Sequence, residues 1–199
     1  MNSKFFDLPK EKQDRMMNAA LKVFALQGYR HACTDDIVRE ASISKGLLFH
    51  YFGSKLGVYT FVYDYSVRYM TLELRTTVHS REHNLFEVLK QIEEARTHAM
   101  RNYPYMQMFL NRCQIEDVKE ALLAVEERKA ALQEQYDSIM QQVDYTSLPA
   151  TVDGSRLRKM LEFTIQGLMN ERFREDTFQP DMLYEEVVKY LDMMKGIVG

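Results

Sequence analysis

The chain has 199 residues and 23.5 kDa, 46% of them apolar and 28% charged, with 8 Gly, 4 Pro and no Trp: ample material for one or two packed domains, too little Gly and Pro for a fibrous, disordered or loop-dominated chain. No apolar run approaches the roughly 18 residues of a membrane span, the opening MNSKFFDLPKEKQDR has no signal-peptide core, and Cys33 and Cys113 stand in neither disulfide nor zinc spacing, so no membrane, a reducing cytoplasm, and neither metal nor cofactor are expected. The net charge of −3 conceals an asymmetry: residues 1–56 hold nine Lys and Arg against six Asp and Glu, the remainder 17 against 23, so a mildly basic head precedes an acidic body.

Apolar positions recur at i, i+3 and i+4 throughout and strand-like alternation never persists, which predicts an all-α fold. The first helix starts near Leu8 or Pro9, carries Met16, Ala20, Val23 and Phe24 on one face, and stops at Gly28. Thr34 is placed to cap TDDIVREA, a helix of two turns with Asp35 and Asp36 at its positive end. Ser44 caps a second short helix, KGLLFHYF, closed by Gly53, and Ser54 caps a third that begins at Lys55 and passes Tyr69. Three caps in so short a stretch predict a helix-turn-helix. Further helices are expected near 55–78, 84–102, 105–113, 117–143, 154–176 and 180–198, broken at Ser80, at Tyr103-Pro104 and in the segment 144–155 with Pro149 and Gly154.

Within KGLLFHYF, helical geometry puts Leu48 and Phe52 on one side and Gly46, Leu47 and His50 opposite, with Phe49 and Tyr51 on the shoulders. An ordinary wetted face would carry Glu, Lys or Gln. A two-turn helix displayed by a tight turn, with a glycine allowing close approach, fits a DNA major groove. Leu47 can meet a thymine methyl, His50 and Tyr51 phosphate or base edges, and Lys45 a guanine or phosphate, while Lys55 and Thr34 sit at helix starts that favour phosphate.

The stretch MMNAALKVFALQGYRHACTDDIVREASISKGLLFHYFGSK, Met16 to Lys55, resembles the DNA-binding head of the TetR family of transcriptional regulators. By that resemblance the groove-facing set is Lys45, Gly46, Leu47, Phe49 and His50, with Thr34, Tyr51 and Lys55 on phosphates and Ser44 as the cap. Leu47 stands where many members have Thr or Ser, and Phe49 where Tyr is frequent, which shifts base reading toward apolar contact and DNA shape. The resemblance divides the chain into a head at 1–56 and a ligand-sensing, dimerising body at 57–199.

In the body, YPYMQMFLNRC offers soft and aromatic groups for an adaptable apolar cavity. Tyr103, Tyr105, Met106, Phe109, Cys113 and, farther on, Phe163 are the candidate lining, although core packing accounts for the same pattern. A seam Val118, Leu122, Val125, Lys129, Leu132, Tyr136, Ile139 and Val143 reads as a long helix lying on a bundle. Cys33 and Cys113 are expected as small buried apolar groups, and the five histidines fall in no metal spacing.

The last two helices are apolar on more than one side, which calls for a second copy. A four-helix dimer interface is expected through Leu157, Leu161, Ile165, Leu168, Val187, Leu191 and Met194, as the resemblance also implies. The reading that follows is a homodimeric regulator, a repressor of a palindromic operator in double-stranded DNA, responsive to a small, largely apolar effector and not an enzyme. The alternative is a helical small-molecule carrier or bundle enzyme whose helix-turn-helix is only structural.

Overall fold

Pro9, with φ at −53°, leads into helix α1 (Lys10–His31), whose apolar stripe buries Met16, Ala20, Val23 and Phe24. At Gly28 the backbone leaves helical geometry with φ +67° and ψ 175°, so the expected stop is a break, and helical turns resume as far as His31. Only glycine takes that φ without strain, and a Cβ there would also press on the Arg112 guanidinium. The computed structural model describes residues 3–174 and 178–198, and among these it contains helices and no strand. The remaining helices are α2 (Thr34–Ala41), α3 (Lys45–Phe52), α4 (Lys55–Thr77), α5 (Leu85–Asn102), α6 (Met106–Gln114), α7 (Lys119–Gln141), α8 (Gly154–Arg172) and α9 (Pro180–Val198). Helix α8, expected to reach 176, ends at Arg172, and expected residues 175 and 176 lie outside the described ones.

By packing, the chain forms two compact units. The first comprises Met1–Met70 and Asn102–Gln133, and within it α1 packs on both α2 and α6. Its core is aromatic: Phe24, Tyr59 and Phe109 meet edge-on or tilted at ring separations between 5.1 and 6.1 Å. The second unit, Thr71–Arg101 with Glu134–Gly199, includes α8 packed along α9. The division into head and body made from the sequence is one of role, whereas these units reflect which segments pack together.

Five of the six residues considered for a pocket belong to the first unit. Tyr103, Met106, Phe109 and Cys113 are buried in its core and Tyr105 is half-buried. The Tyr103 hydroxyl donates to Asp14 at 2.9 Å and meets the Tyr65 hydroxyl at 2.7 Å, and the Tyr59 hydroxyl donates to Cys113 Sγ at 3.1 Å. Burial pushes the Cys113 thiol up to about 12. Cys33, by contrast, is exposed rather than buried, because it sits at the chain turn between α1 and α2 where no element covers it. The sixth residue, Phe163, is 66% exposed on α8.

The seven residues expected between two copies are distributed differently. Leu157, Leu161, Ile165 and Leu168 on α8, and Val187 and Leu191 on α9, are buried within a single chain, and Met194 is half-buried. The side of these helices that stays exposed carries Met160, Phe163, Met182, Tyr190, Met193 and Ile197. Each helix has two apolar stripes, and periodicity alone cannot say which one the chain covers itself. The stripe available to a second copy is the exposed one.

Candidate nucleic-acid interface

The helix-turn-helix is built from short-range signals in the sequence. Helix α2 ends at Ser42, whose φ of 52° places it in the left-handed region and whose N–H returns to the carbonyls of Arg39 and Val38. A non-glycine residue there costs on the order of 1 kcal/mol, which the turn must repay through the packing that it permits. Ile37 and Ala41 of α2 and Leu48 of α3 are buried, fixing the two helices on the first unit's core. Ser44 then caps α3, its Oγ accepting from the Leu47 N–H at 3.2 Å. Gly53, at φ +72°, closes α3, and Ser54 caps α4 by accepting from the Gly57 N–H at 3.0 Å.

One expected cap is different. Cys33 occupies the N-cap position of α2, without a side-chain cap bond, and Thr34 is the first helical residue, half-buried. Helical backbone at residue 34 leaves its hydroxyl the wrong geometry to cap its own helix. Sequence alone placed the helix start one residue late.

On α3 the outward side bears Lys45, Gly46 and His50, all exposed, while Leu47, Phe49 and Tyr51 are half-buried. A Cβ built on Gly46 would meet nothing within 4 Å, so the protein itself gives no reason for a glycine inside this helix. Lys45 forms an ion pair with Asp35 at 2.8 Å, which links α3 to the start of α2 and raises the lysine's pKa through that hydrogen bond. The His50 ring stands edge-on to Tyr51 at 5.0 Å.

Lys55 is held closer to the body of the unit than its place at a helix start suggests. Its Nζ lies 4.5 Å from the centre of the Tyr29 ring and donates to the Arg30 carbonyl at 3.4 Å. Tyr29 is in turn clamped by acids of the α6–α7 connection and α7: its N–H donates to Glu116 at 2.9 Å and its hydroxyl to Glu120 at 2.7 Å. Burial, then Glu120, pushes the Tyr29 hydroxyl up to about 12. Arg30 pairs with Asp117 at 3.1 Å. A phosphate contact by Lys55 requires its ammonium to leave this ring.

Sequence reasoning missed Phe5. It is fully buried beneath α3, its ring 5.5 Å from Phe52, 6.1 Å from Tyr51 and 4.9 Å from Phe61. The Gln13 amide ties this N-terminal turn down by donating to the carbonyls of Phe6 and Leu8. The available signal was the pair Phe5-Phe6 in a polar stretch. Among the described residues there is no group of three or more His, Cys, Asp or Glu side chains that could hold a metal, and no helix is long and apolar enough to cross a membrane.

Residues 16–59 match the family model described as bacterial regulatory proteins, tetR family. The chain is 42% identical over 48 residues to the HTH-type transcriptional regulator HbdR of Aromatoleum sp. (strain CIB), a match over 24% of this chain and 21% of that protein. It is 39% identical over 59 residues to the HTH-type transcriptional regulator YuxN of Bacillus subtilis (strain 168), over 28% and 20%. The matched stretch thus spans about a fifth of the length of each of these two proteins. Solved structures share the fold over almost the whole chain. A TetR family transcriptional regulator from Chloroflexus aurantiacus J-10-FL superposes with a TM-score of 0.62 at 19% identity, covering 98% of this chain and 94% of its own. The fatty acid degradation regulator FadR from Bacillus halodurans gives 0.61 at 16%, covering 89% and 96%. Residues 16–59 are thus similar to the head of the tetR family, and the rest of the chain shares the all-α fold of the solved TetR family regulators.

Proposed function

We propose that this chain is a DNA-binding transcriptional regulator that acts as a homodimer, represses from a roughly palindromic operator and answers to a small, largely apolar effector. The observation that carries the reading is α3: capped at Ser44, anchored by buried Leu48, and turned so that Lys45, Gly46 and His50 face outward. Lys45, Gly46, Leu47, Phe49 and His50 meet the major groove, while Thr34, Tyr51 and Lys55 serve phosphates.

Glycine inside a helix costs about 1 kcal/mol relative to alanine. Gly57 and Gly154 have a structural reason, since a Cβ would overlap the Phe52 carbonyl oxygen in the first case and the Tyr145 ring in the second. Gly46, Gly167 and Gly196 have none, for a Cβ on any of them meets nothing within 4 Å. Gly46 lies on the side assigned to DNA. Gly167 and Gly196 are exposed on α8 and α9, the helices whose uncovered apolar stripe suits a second copy of the chain.

The deciding experiment measures duplex binding and folding together. The unaltered protein binds DNA with an affinity that falls steeply with salt. Gly46→Leu fills space that is empty in the free protein, so thermal unfolding stays unchanged or rises, while duplex affinity drops about 10-fold or more. Unaltered duplex affinity in that variant overturns the reading and favours the carrier, whose helix-turn-helix is only structural.

A further inference from the structure

Asp35 and Asp36 are neighbours in the first turn of α2 and are used differently. Both oxygens of Asp36 are spent within the chain, one on Arg39 and the other accepting from Gln27 Nε2 at 3.2 Å, and the residue is half-buried. The side chain of Asp35 is 60% exposed, and among the described residues its partner is Lys45 of α3, 2.8 Å away across the turn. An acid at a helix start offsets the helix dipole, but Asp36 already supplies one, and an exposed ion pair contributes little to folding. Neither accounts for a second carboxylate turned toward α3.

Lys45 belongs to the set assigned to the major groove, and the glycine beside it has no Cβ to hold a duplex off. A carboxylate 2.8 Å from that ammonium accompanies it into the groove. Against a polyanion it has the wrong sign, and neither phosphate nor deoxyribose gives it a hydrogen to accept. The donors that a duplex shows in the major groove are the amino groups of cytosine and adenine. An ammonium and a carboxylate side by side therefore match a base pair in which acceptors adjoin an amino group. In a G·C pair O6 and N7 of guanine stand together and hold one ammonium beside cytosine N4. In an A·T pair the acceptors N7 and O4 lie on opposite sides of the amino group, so a single ammonium takes only one of them.

We propose that Asp35 is a specificity-determining residue: with Lys45 it reads one G·C pair in each half-site, Asp35 accepting from cytosine N4 and Lys45 donating to guanine O6 and N7. Away from such a pair the carboxylate repels the backbone and keeps Lys45 from phosphates, so other duplexes are bound less well than the charge of the head implies. The proposal rests on the functional reading given above and adds a base pair to it.

Selection from a pool of duplexes with randomised centres, followed by titration of individual duplexes, tests it on the full chain. The unaltered protein enriches G·C at one position of each half-site, and exchange for A·T there weakens binding about tenfold. Asp35→Ala binds random duplex more tightly, with a salt slope steeper by about one unit, and loses the preference at that position alone. N4-methylcytosine keeps its pairing hydrogen and carries a methyl where the groove-facing N–H was; placed at that position, it weakens the unaltered protein and not Asp35→Ala. A folding defect does not imitate this pattern, since it lowers binding to every duplex. An Asp35→Ala protein that keeps the base preference, or that binds random duplex no better, overturns the role of Asp35. Enrichment of A·T, or of no base pair, by the unaltered protein overturns the G·C assignment while the regulator stands. A folded chain that binds no duplex at any salt concentration refutes the regulator itself.

Discussion

The outward side of α3 and the outward side of α8 and α9 are both left uncovered by the chain, and they are made of different material. On α3 the exposed groups are a lysine, a glycine and a histidine, with leucine, phenylalanine and tyrosine half sunk beside them. On α8 and α9 they are Met160, Phe163, Met182, Tyr190, Met193 and Ile197. A surface of the first kind stays hydrated between encounters and gives up little by standing free, which suits a polyanion that is bound and released. A surface of the second kind leaves apolar area in water at about 25 cal/mol per Å², which suits a partner that does not leave. The same device, a glycine with empty space above it, occurs on both, at Gly46 and at Gly167 and Gly196.

The contrast can be broken most directly at Phe163. Phe163→Asp puts a carboxylate into the apolar stripe and weakens self-association by about 3 kcal/mol or more, converting dimer to monomer in sedimentation velocity. A dimer that persists moves the interface elsewhere and leaves the stripe unexplained. Leu168 and Leu191, expected between two copies, do not serve this test, because both are buried within one chain and a charge there unfolds the protein as well.

A smaller effect isolates the mounting of α3 from its chemistry. Gly57→Ala forces a Cβ into the Phe52 carbonyl oxygen, so the α3–α4 turn must open, at a cost of about 1–3 kcal/mol in urea unfolding. Duplex affinity falls and the dimer does not, since the stripe on α8 and α9 is untouched. Loss of the dimer in this variant would show that the two surfaces are not independent.

The mildest change is Ser44→Ala, which removes the cap of α3 and nothing else. Stability drops by about 1 kcal/mol, read as a lower urea midpoint with unchanged slope, and duplex affinity declines with the fraying of the first turn that holds Lys45 and Gly46. An unchanged midpoint would mean that water or a neighbouring group replaces the hydroxyl.

Local physics was legible in the chain without any structure. The caps at Ser44 and Ser54, the stop at Gly53, and the burial of Leu48 opposite Gly46 and His50 depend on residues a few positions apart, so their sequence signals are complete in themselves. The family head at residues 16–59 is recognisable for the same reason: its spacing is short-range. Where a side chain had to choose between two partners far apart in sequence, the signal ended. The ring of Phe5 under α3, the turning back of Lys55 onto Tyr29, and the clamp of Arg68 and Arg128 on Asp64 join segments up to 64 residues apart.

The sequence by itself determined that this protein is all-α, roughly where most of its helices lie, and which side of α3 is anchored, because helix periodicity and capping are set by neighbours within a turn or two. Only the tertiary structure decided which of two apolar stripes on α8 and α9 is already spent on the chain's own core, and that Tyr51 and Phe52 of α3 line a cavity with residues of α4 and α7. Both depend on long-range contacts, and a stripe of leucines or a lone arginine looks the same in a sequence whichever surface it meets.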